Sequence, residues 1–157
     1  MTPNISSISA DVGDFTDLMS GAYAYVEPSD GSLHINPNIF KDEETFYKTV
    51  GGRIRAYHLN ATPESILAHE YGHSISLKVD EQKIVDDAVA RYIEKYPKSA
   101  MDAFVPDYQY AAESISHYAV TTKHELFAEA FGDVYANGDK AQELSKWIVE
   151  GARKGMK

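Results

Sequence analysis

His69-Glu70-Tyr71-Gly72-His73 is the segment of this chain whose residue types and spacing carry the clearest chemistry. Histidines four residues apart on a helix share one face, so both imidazoles can reach a single ion while Glu70 projects beside them. A zinc ion held this way acidifies a water, and a glutamate in that position takes the proton as the water attacks a carbonyl. The competing reading is two histidines satisfied by hydrogen bonds on a buried helix face. Context favours the metal. Thr62-Pro63-Glu64 supplies a hydroxyl cap, a proline at the first helical position and an acid in the first turn, so a helix starts just before the motif. Ile66-Leu67-Ala68 is expected to bury the face opposite the histidines, and Gly72 to let a helix or loop approach the backbone closely.

A catalytic zinc site needs a third protein ligand. Cysteine is absent, so the donors must be histidine and carboxylate. The familiar extended pattern puts a third histidine six residues after the second, where this chain has Val79. Glu125 and Glu129 stand four apart in a later stretch whose Leu126, Phe127, Ala130 and Phe131 predict apolar packing. Burying an unpaired carboxylate is costly, which asks for a reason. One carboxylate would ligate the ion and the other would accept the far N–H of a liganding histidine. On spacing alone either could be the ligand. Asp133 is a weaker alternative, expected to be solvated or to cap. His58, His117 and His124 also offer imidazoles. His124 points about 100° away from Glu125 around the helix, so a surface position is expected. His34 is a candidate for the substrate cleft, with plain surface exposure as the competing reading. Tyr23, Tyr25 and Tyr57 either line a groove or pack in the core.

Ser116-His117-Tyr118-Ala119 followed by Glu125-Leu126-Phe127-Ala128-Glu129-Ala130-Phe131 resembles the second motif segment of the anthrax lethal factor family of zinc peptidases. The same pairing of motifs occurs in bacterial Pro-Pro endopeptidases and in peptidase-like domains of phage minor head proteins. The resemblance spans residues 62–131, with Tyr57-His58 a looser likeness to the phage proteins. Leu126-Phe127 departs slightly from the aromatic pair common in the family, and the N-terminal third resembles nothing in it. The resemblance implies a zincin-like metallopeptidase domain of gluzincin type with Zn2+ on His69, His73 and Glu125. It also implies Glu129 as a support for the zinc site and Tyr118 lying over the active site. Glu70 would then be the general base, and the Tyr118 hydroxyl would stabilise the oxygen that becomes negative. His117, next to Tyr118, is a further candidate to assist that oxygen. The expected activity is an endopeptidase acting on an extended polypeptide. A catalytically silent zinc-containing module of a phage particle or toxin is the alternative, and a zinc hydrolase of another amide a third reading. The chain would then be part of a larger phage or toxin protein.

The elements that must position these residues read as α+β: a small N-terminal sheet, then a mainly helical part carrying the active-site helix and the glutamate helix. The 157 residues suit one domain, expected over 18–157 behind a flexible N-terminal arm over 1–17. Residues 21–26 and 32–36 read as strands joined through the turn residues Pro28-Ser29-Asp30-Gly31, with Pro37 ending the hairpin. Asp42 caps a helix over 43–50, stopped by Gly51-Gly52, and residues 53–58 read as a third strand. Further helices are expected over 80–96, 107–115 and 122–135. A last helix, starting at Asp139, should bury Leu144, Trp147 and Ile148. Thr122 and Glu125 have the spacing of a capping box, but a carboxylate turned back to its own cap is not available to a metal, so only the hydroxyl cap is expected. A net charge of -9 argues against nucleic acid or an anionic membrane as partner. The basic Arg153-Lys154 and Lys157 are expected to complement a helix C-terminus. No stretch approaches the length of a membrane span, and no basic-then-apolar leader is visible; a cytoplasmic, phage-associated or non-classically secreted location all fit.

Overall fold

The computed structural model describes residues 8–9, 22–50 and 62–156. Within them the protein is mixed α and β, mostly helical, with a small sheet. The strands are β1 (Ile8–Ser9), β2 (Ala24–Val26) and β3 (Leu33–Ile35), in the order β1-β3-β2. β2 and β3 form the expected hairpin, antiparallel with Tyr25 opposite His34, and β1 joins β3 in parallel. The turn closes where the sequence supplies a left-handed position: Gly31 has φ 72 and donates its N–H to Glu27 O at 2.8 Å. Both hairpin strands are shorter than the alternation suggested. Ile8–Ser9 lie inside the segment expected to be an arm and are paired. The rest of residues 1–17 lies outside the described residues, as do Gly51-Gly52 and the strand expected over 53–58 with Tyr57 and His58.

Several helices begin where a side-chain cap is written in the sequence. α1 (Glu43–Val50) starts at Asp42, whose Oδ1 accepts the Thr45 N–H at 2.7 Å. α2 (Pro63–Ser76) opens on Thr62, whose hydroxyl accepts the Ser65 N–H at 3.1 Å while Ser65 Oγ accepts the Thr62 N–H at 3.0 Å. α3 (Glu81–Lys95) is capped by Asp80, and α5 (Lys123–Asn137) by Thr122, whose hydroxyl accepts the Glu125 N–H at 3.0 Å. α4 (Asp107–Ala112) is shorter than expected because the chain passes into turns before Ile115. α6 (Glu143–Gly155) starts at Glu143 rather than at Asp139. Asn137 Nδ2 and the Gln142 N–H both donate to the buried Asp133 carboxylate, at 2.7 and 2.9 Å. This pins a short 3-10 turn and an extended Ala141 between the two helices. Asp133 is therefore buried and capping, not solvated.

α2 and α5 make the most extensive contact between elements, and α6 and α3 close over the far side of α5. The main core gathers Ile75, Val85, Leu126, Phe127, Ala130, Leu144 and Ile148. Trp147, expected in that core, is only half-buried and lies under the Arg91 guanidinium, 4.1 Å from its ring centre. A smaller cluster of Ile39, Phe46 and Ile66, with Tyr23 and Phe40 against it, joins the hairpin side to α2. Tyr23 is thus a packing residue.

The buried face of α2 differs from the expectation. Ile66 is buried, but Leu67 and Ala68 are only half-covered, whereas His69, Glu70 and Gly72 are buried. The reason is the approach of α5. A Cβ on Gly72 would stand 2.8 Å from Ala128 Cα and 3.2 Å from Ala128 O, so only glycine permits this separation. Gly132, on the α5 side, is less demanding, with its nearest foreign atom at 3.4 Å.

Gly72→Ala should therefore destabilise the protein, although glycine-to-alanine in a helix ordinarily gains about 1 kcal/mol. Overpacking against backbone costs about 1–3 kcal/mol, a fall in Tm of several degrees in thermal denaturation. Gly132→Ala should be tolerated much better. A Gly72→Ala protein as stable as the parent would show that the two helices are not held at this distance.

Candidate metal centre

Four side chains face one another across the α2–α5 contact. His69 and His73 come from successive turns of α2, and Glu125 and Glu129 from successive turns of α5. His69 Nε2 and His73 Nε2 are 3.1 Å apart. Glu125 Oε2 stands 3.2 Å from the first and 3.4 Å from the second. That oxygen is buried and makes no hydrogen bond with proper geometry. Two imidazole nitrogens and one carboxylate oxygen thus converge on a single point. A tetrahedral ion with bonds of about 2.0–2.1 Å holds its ligand atoms about 3.3 Å apart, which is the spacing found. His69, His73 and Glu125 are thus a group that can hold a metal ion.

The two glutamates, equivalent on spacing, divide their roles by geometry. Glu129 is buried, and its Oε1 lies 2.7 Å from His69 Nδ1. A carboxylate only accepts, so Nδ1 carries a proton; once the ring is neutral, as a metal ligand must be, the Nε2 lone pair faces the ion site. Ser116 Oγ donates to the other oxygen, Oε2, at 2.7 Å. Both Glu129 oxygens are therefore occupied. Glu125 is left as the carboxylate that reaches both Nε2 atoms.

The electrostatics follow. Burial lowers the pKa of His69, but its contacts with Glu125 and Glu129 and the charge of Glu70 outweigh this and push it up to about 10. Burial likewise raises Glu125, yet the contacts with His69 and His73 hold it well below the usual carboxylate range. The cluster is built to keep its carboxylates ionised around a positive charge. The second ring is oriented differently. His73 Nδ1 is buried and meets no hydrogen-bond partner, so packing sets its plane: edge-on to His69 at 4.7 Å and tilted against His124 at 4.3 Å.

The ligand group lies at the bottom of an open cleft of about 270 Å3. Glu70, buried, lines it beside the histidines. So does Tyr118, which enters from the turns before α5; its ring centre is 5.8 Å from that of His69. Burial and the nearby Glu125 carboxylate push the Tyr118 hydroxyl up to about 12, so it stays a donor at neutral pH. The opposite wall is the N-terminal hairpin, with Ala24, Tyr25 and Val26 of β2 and then Pro28; Leu77, just past α2, completes it.

The sequence expectations sort accordingly. His69, Glu70, His73, Tyr118, Glu125 and Glu129 come together. His34 does not line the cleft; it stacks on the back of Tyr25, with ring centres 4.7 Å apart, and contacts Ser32 Oγ at 2.8 Å. His117 is exposed and outside the cleft lining. His124 is exposed as expected, but it is also at the cleft rim against His73, its Nδ1 2.7 Å from Glu81 Oε2. Ser116 was also missed as a partner of the centre. The signal for it was available: a buried carboxylate holding one histidine proton needs a second donor, and a serine stands close before Tyr118. The chain matches no protein-family model, no curated protein and no solved structure.

Removing Glu125 should remove the metal. Equilibrium dialysis against zinc should give about one ion per chain, with Glu125→Ala retaining far less. Glu129→Ala should bind about tenfold to a hundredfold more weakly but at the same stoichiometry. Full retention by Glu125→Ala with loss in Glu129→Ala would exchange the two roles.

Proposed function

We propose that this chain is a zinc-dependent endopeptidase with a zincin-like arrangement of helix and cleft. The observation that carries the reading is the convergence of two Nε2 atoms and one carboxylate oxygen within 3.1–3.4 Å of one another, in a cleft also lined by Glu70 and Tyr118. A site that only held a metal for structure would need neither the base nor the phenol. Three protein ligands with open space beside them suit a catalytic zinc rather than a closed structural one.

Zinc, once bound by His69, His73 and Glu125, would supply Lewis acidity toward a carbonyl and lower the pKa of a water. Glu70 accepts the proton of the attacking water and passes it to the departing amine nitrogen, so acid and base work fall on one carboxylate. The Tyr118 hydroxyl, kept protonated by its surroundings, donates to the carbonyl oxygen as negative charge grows there. Glu129 fixes the His69 tautomer. Polypeptide is the favoured substrate class because β2, among the described residues, is an edge strand of the sheet and lines the cleft. An extended chain can add to such an edge through main-chain hydrogen bonds and bring its carbonyl over the histidines.

A degenerate peptide library incubated with zinc-loaded protein and read by mass spectrometry tests this directly. Cleavage is expected and should stop on chelation. Glu70→Gln should keep its zinc and lose about a hundredfold to ten-thousandfold in turnover. Tyr118→Phe should lose about 3 kcal/mol of transition-state stabilisation, mostly in kcat. Complete absence of zinc-dependent cleavage would favour a silent zinc-containing module of a larger particle or toxin.

A further inference from the structure

The buried hydrogen bonds of the metal centre do not stop at Glu129. From His69 Nδ1 they run to Glu129 Oε1 at 2.7 Å, and from Glu129 Oε2 to Ser116 Oγ, again at 2.7 Å. The Ser116 oxygen then accepts the Ala119 N–H at 3.0 Å. Ser116 is 7% exposed and Ala119 fully buried, so solvent offers little replacement for these bonds. Tyr118 lies between those two residues. Its own carbonyl accepts the Thr121 N–H at 3.1 Å and the Thr121 hydroxyl at 2.7 Å, and Thr122 then caps α5. The short segment that presents Tyr118 to the cleft is thus anchored at one end by Ser116 to the glutamate that orients His69. At its other end it is anchored to the helix that carries Glu125.

We propose that Ser116 is a positioning residue that couples occupancy of the metal site to the placement of Tyr118; the inference rests on reading His69, His73 and Glu125 as a metal site. A serine hydroxyl has one hydrogen to give, and here it goes to Glu129, leaving the oxygen lone pairs for the Ala119 N–H. Withdrawal of electron density through His69 Nε2 makes Nδ1–H a stronger donor and fixes the Glu129 carboxylate. A fixed carboxylate fixes the Ser116 hydroxyl, and with it the turn that carries Tyr118. Such coupling is reciprocal: whatever steadies the Ser116–Ala119 turn also raises metal affinity, by the same factor. Without the hydroxyl, Glu129 Oε2 and the Ala119 N–H are both left buried without their partner, which weakens the support of His69 and loosens the Tyr118 turn together.

The test uses the full chain and zinc as the probe. Zinc affinity is measured by competition with a chelating indicator, and exchange of the Ala119 amide is followed with and without zinc, for the parent, Ser116→Ala and Ser116→Thr. In the parent, zinc should slow Ala119 exchange. Ser116→Ala should bind zinc about tenfold to a hundredfold more weakly and lose the zinc-dependent slowing, as expected for a group behind a metal ligand. Ser116→Thr, which restores the hydroxyl, should recover most of both. Unchanged zinc affinity in Ser116→Ala, even with a lower Tm for the zinc-free protein, would make the bond merely structural and overturn the inference. Should Ser116→Ala fail to fold, parent Ala119 exchange that ignores zinc would overturn it equally. A parent chain that binds no zinc would instead overturn the metal site itself, an outcome distinct from the other two.

Discussion

The separation of α2 and α5 is the constraint on which the rest depends. Helices usually keep 8–10 Å between axes because side chains stand between them. At Gly72 no side chain stands there, and the space a Cβ would fill is taken by the Ala128 backbone. That contact lies between His69 and His73 along one helix and between Glu125 and Glu129 along the other. It therefore sets how far the imidazoles stand from the carboxylates. A wider separation would leave the four groups to be satisfied by solvent. At this one they reach one another, with Ser116 behind Glu129 and His124 beside His73.

Burying such a group is expensive unless charge and hydrogen bonding are both met. The protein meets the demand unequally. His69 is held through Nδ1 by a carboxylate that a serine holds in turn, a polar chain fixed at every link. His73 has no comparable bond and depends on the His69 and His124 rings. The centre accordingly has one rigid ligand and one held by packing, and its rim is formed by His124 with its Glu81 partner. Glu125 Oε2, like His73 Nδ1, is buried without a hydrogen bond. An orphaned carboxylate oxygen facing two imidazole nitrogens has a ready explanation in an ion bound to all three.

Much of this was legible from local signals. Caps at Asp42, Thr62, Asp80 and Thr122 mark the helix starts because a side-chain oxygen and a backbone N–H a few residues apart decide them. The four-residue spacings in 69–73 and 125–129 fix shared faces. What failed to show depends on contacts distant in sequence. α6 begins late because Asp133, on another helix, takes the Gln142 N–H. Leu67 and Ala68 are half-covered because α5 arrives on the histidine side. His124 points away from Glu125 around its own helix, yet His73 on α2 meets it there. The hairpin as cleft wall was legible only in part: Tyr25, offered as a groove residue, lines the cleft, whereas His34 on the neighbouring strand does not.

The central claim is that one ion is bound by two imidazoles and one carboxylate, with room for a water. X-ray absorption at the zinc edge of the loaded protein reads this without requiring a substrate. Light-atom neighbours at about 2.0–2.1 Å in a four-coordinate shell are expected, with the outer-shell scattering of two imidazole rings. A six-coordinate oxygen shell, or the scattering of fewer than two imidazoles, would contradict it.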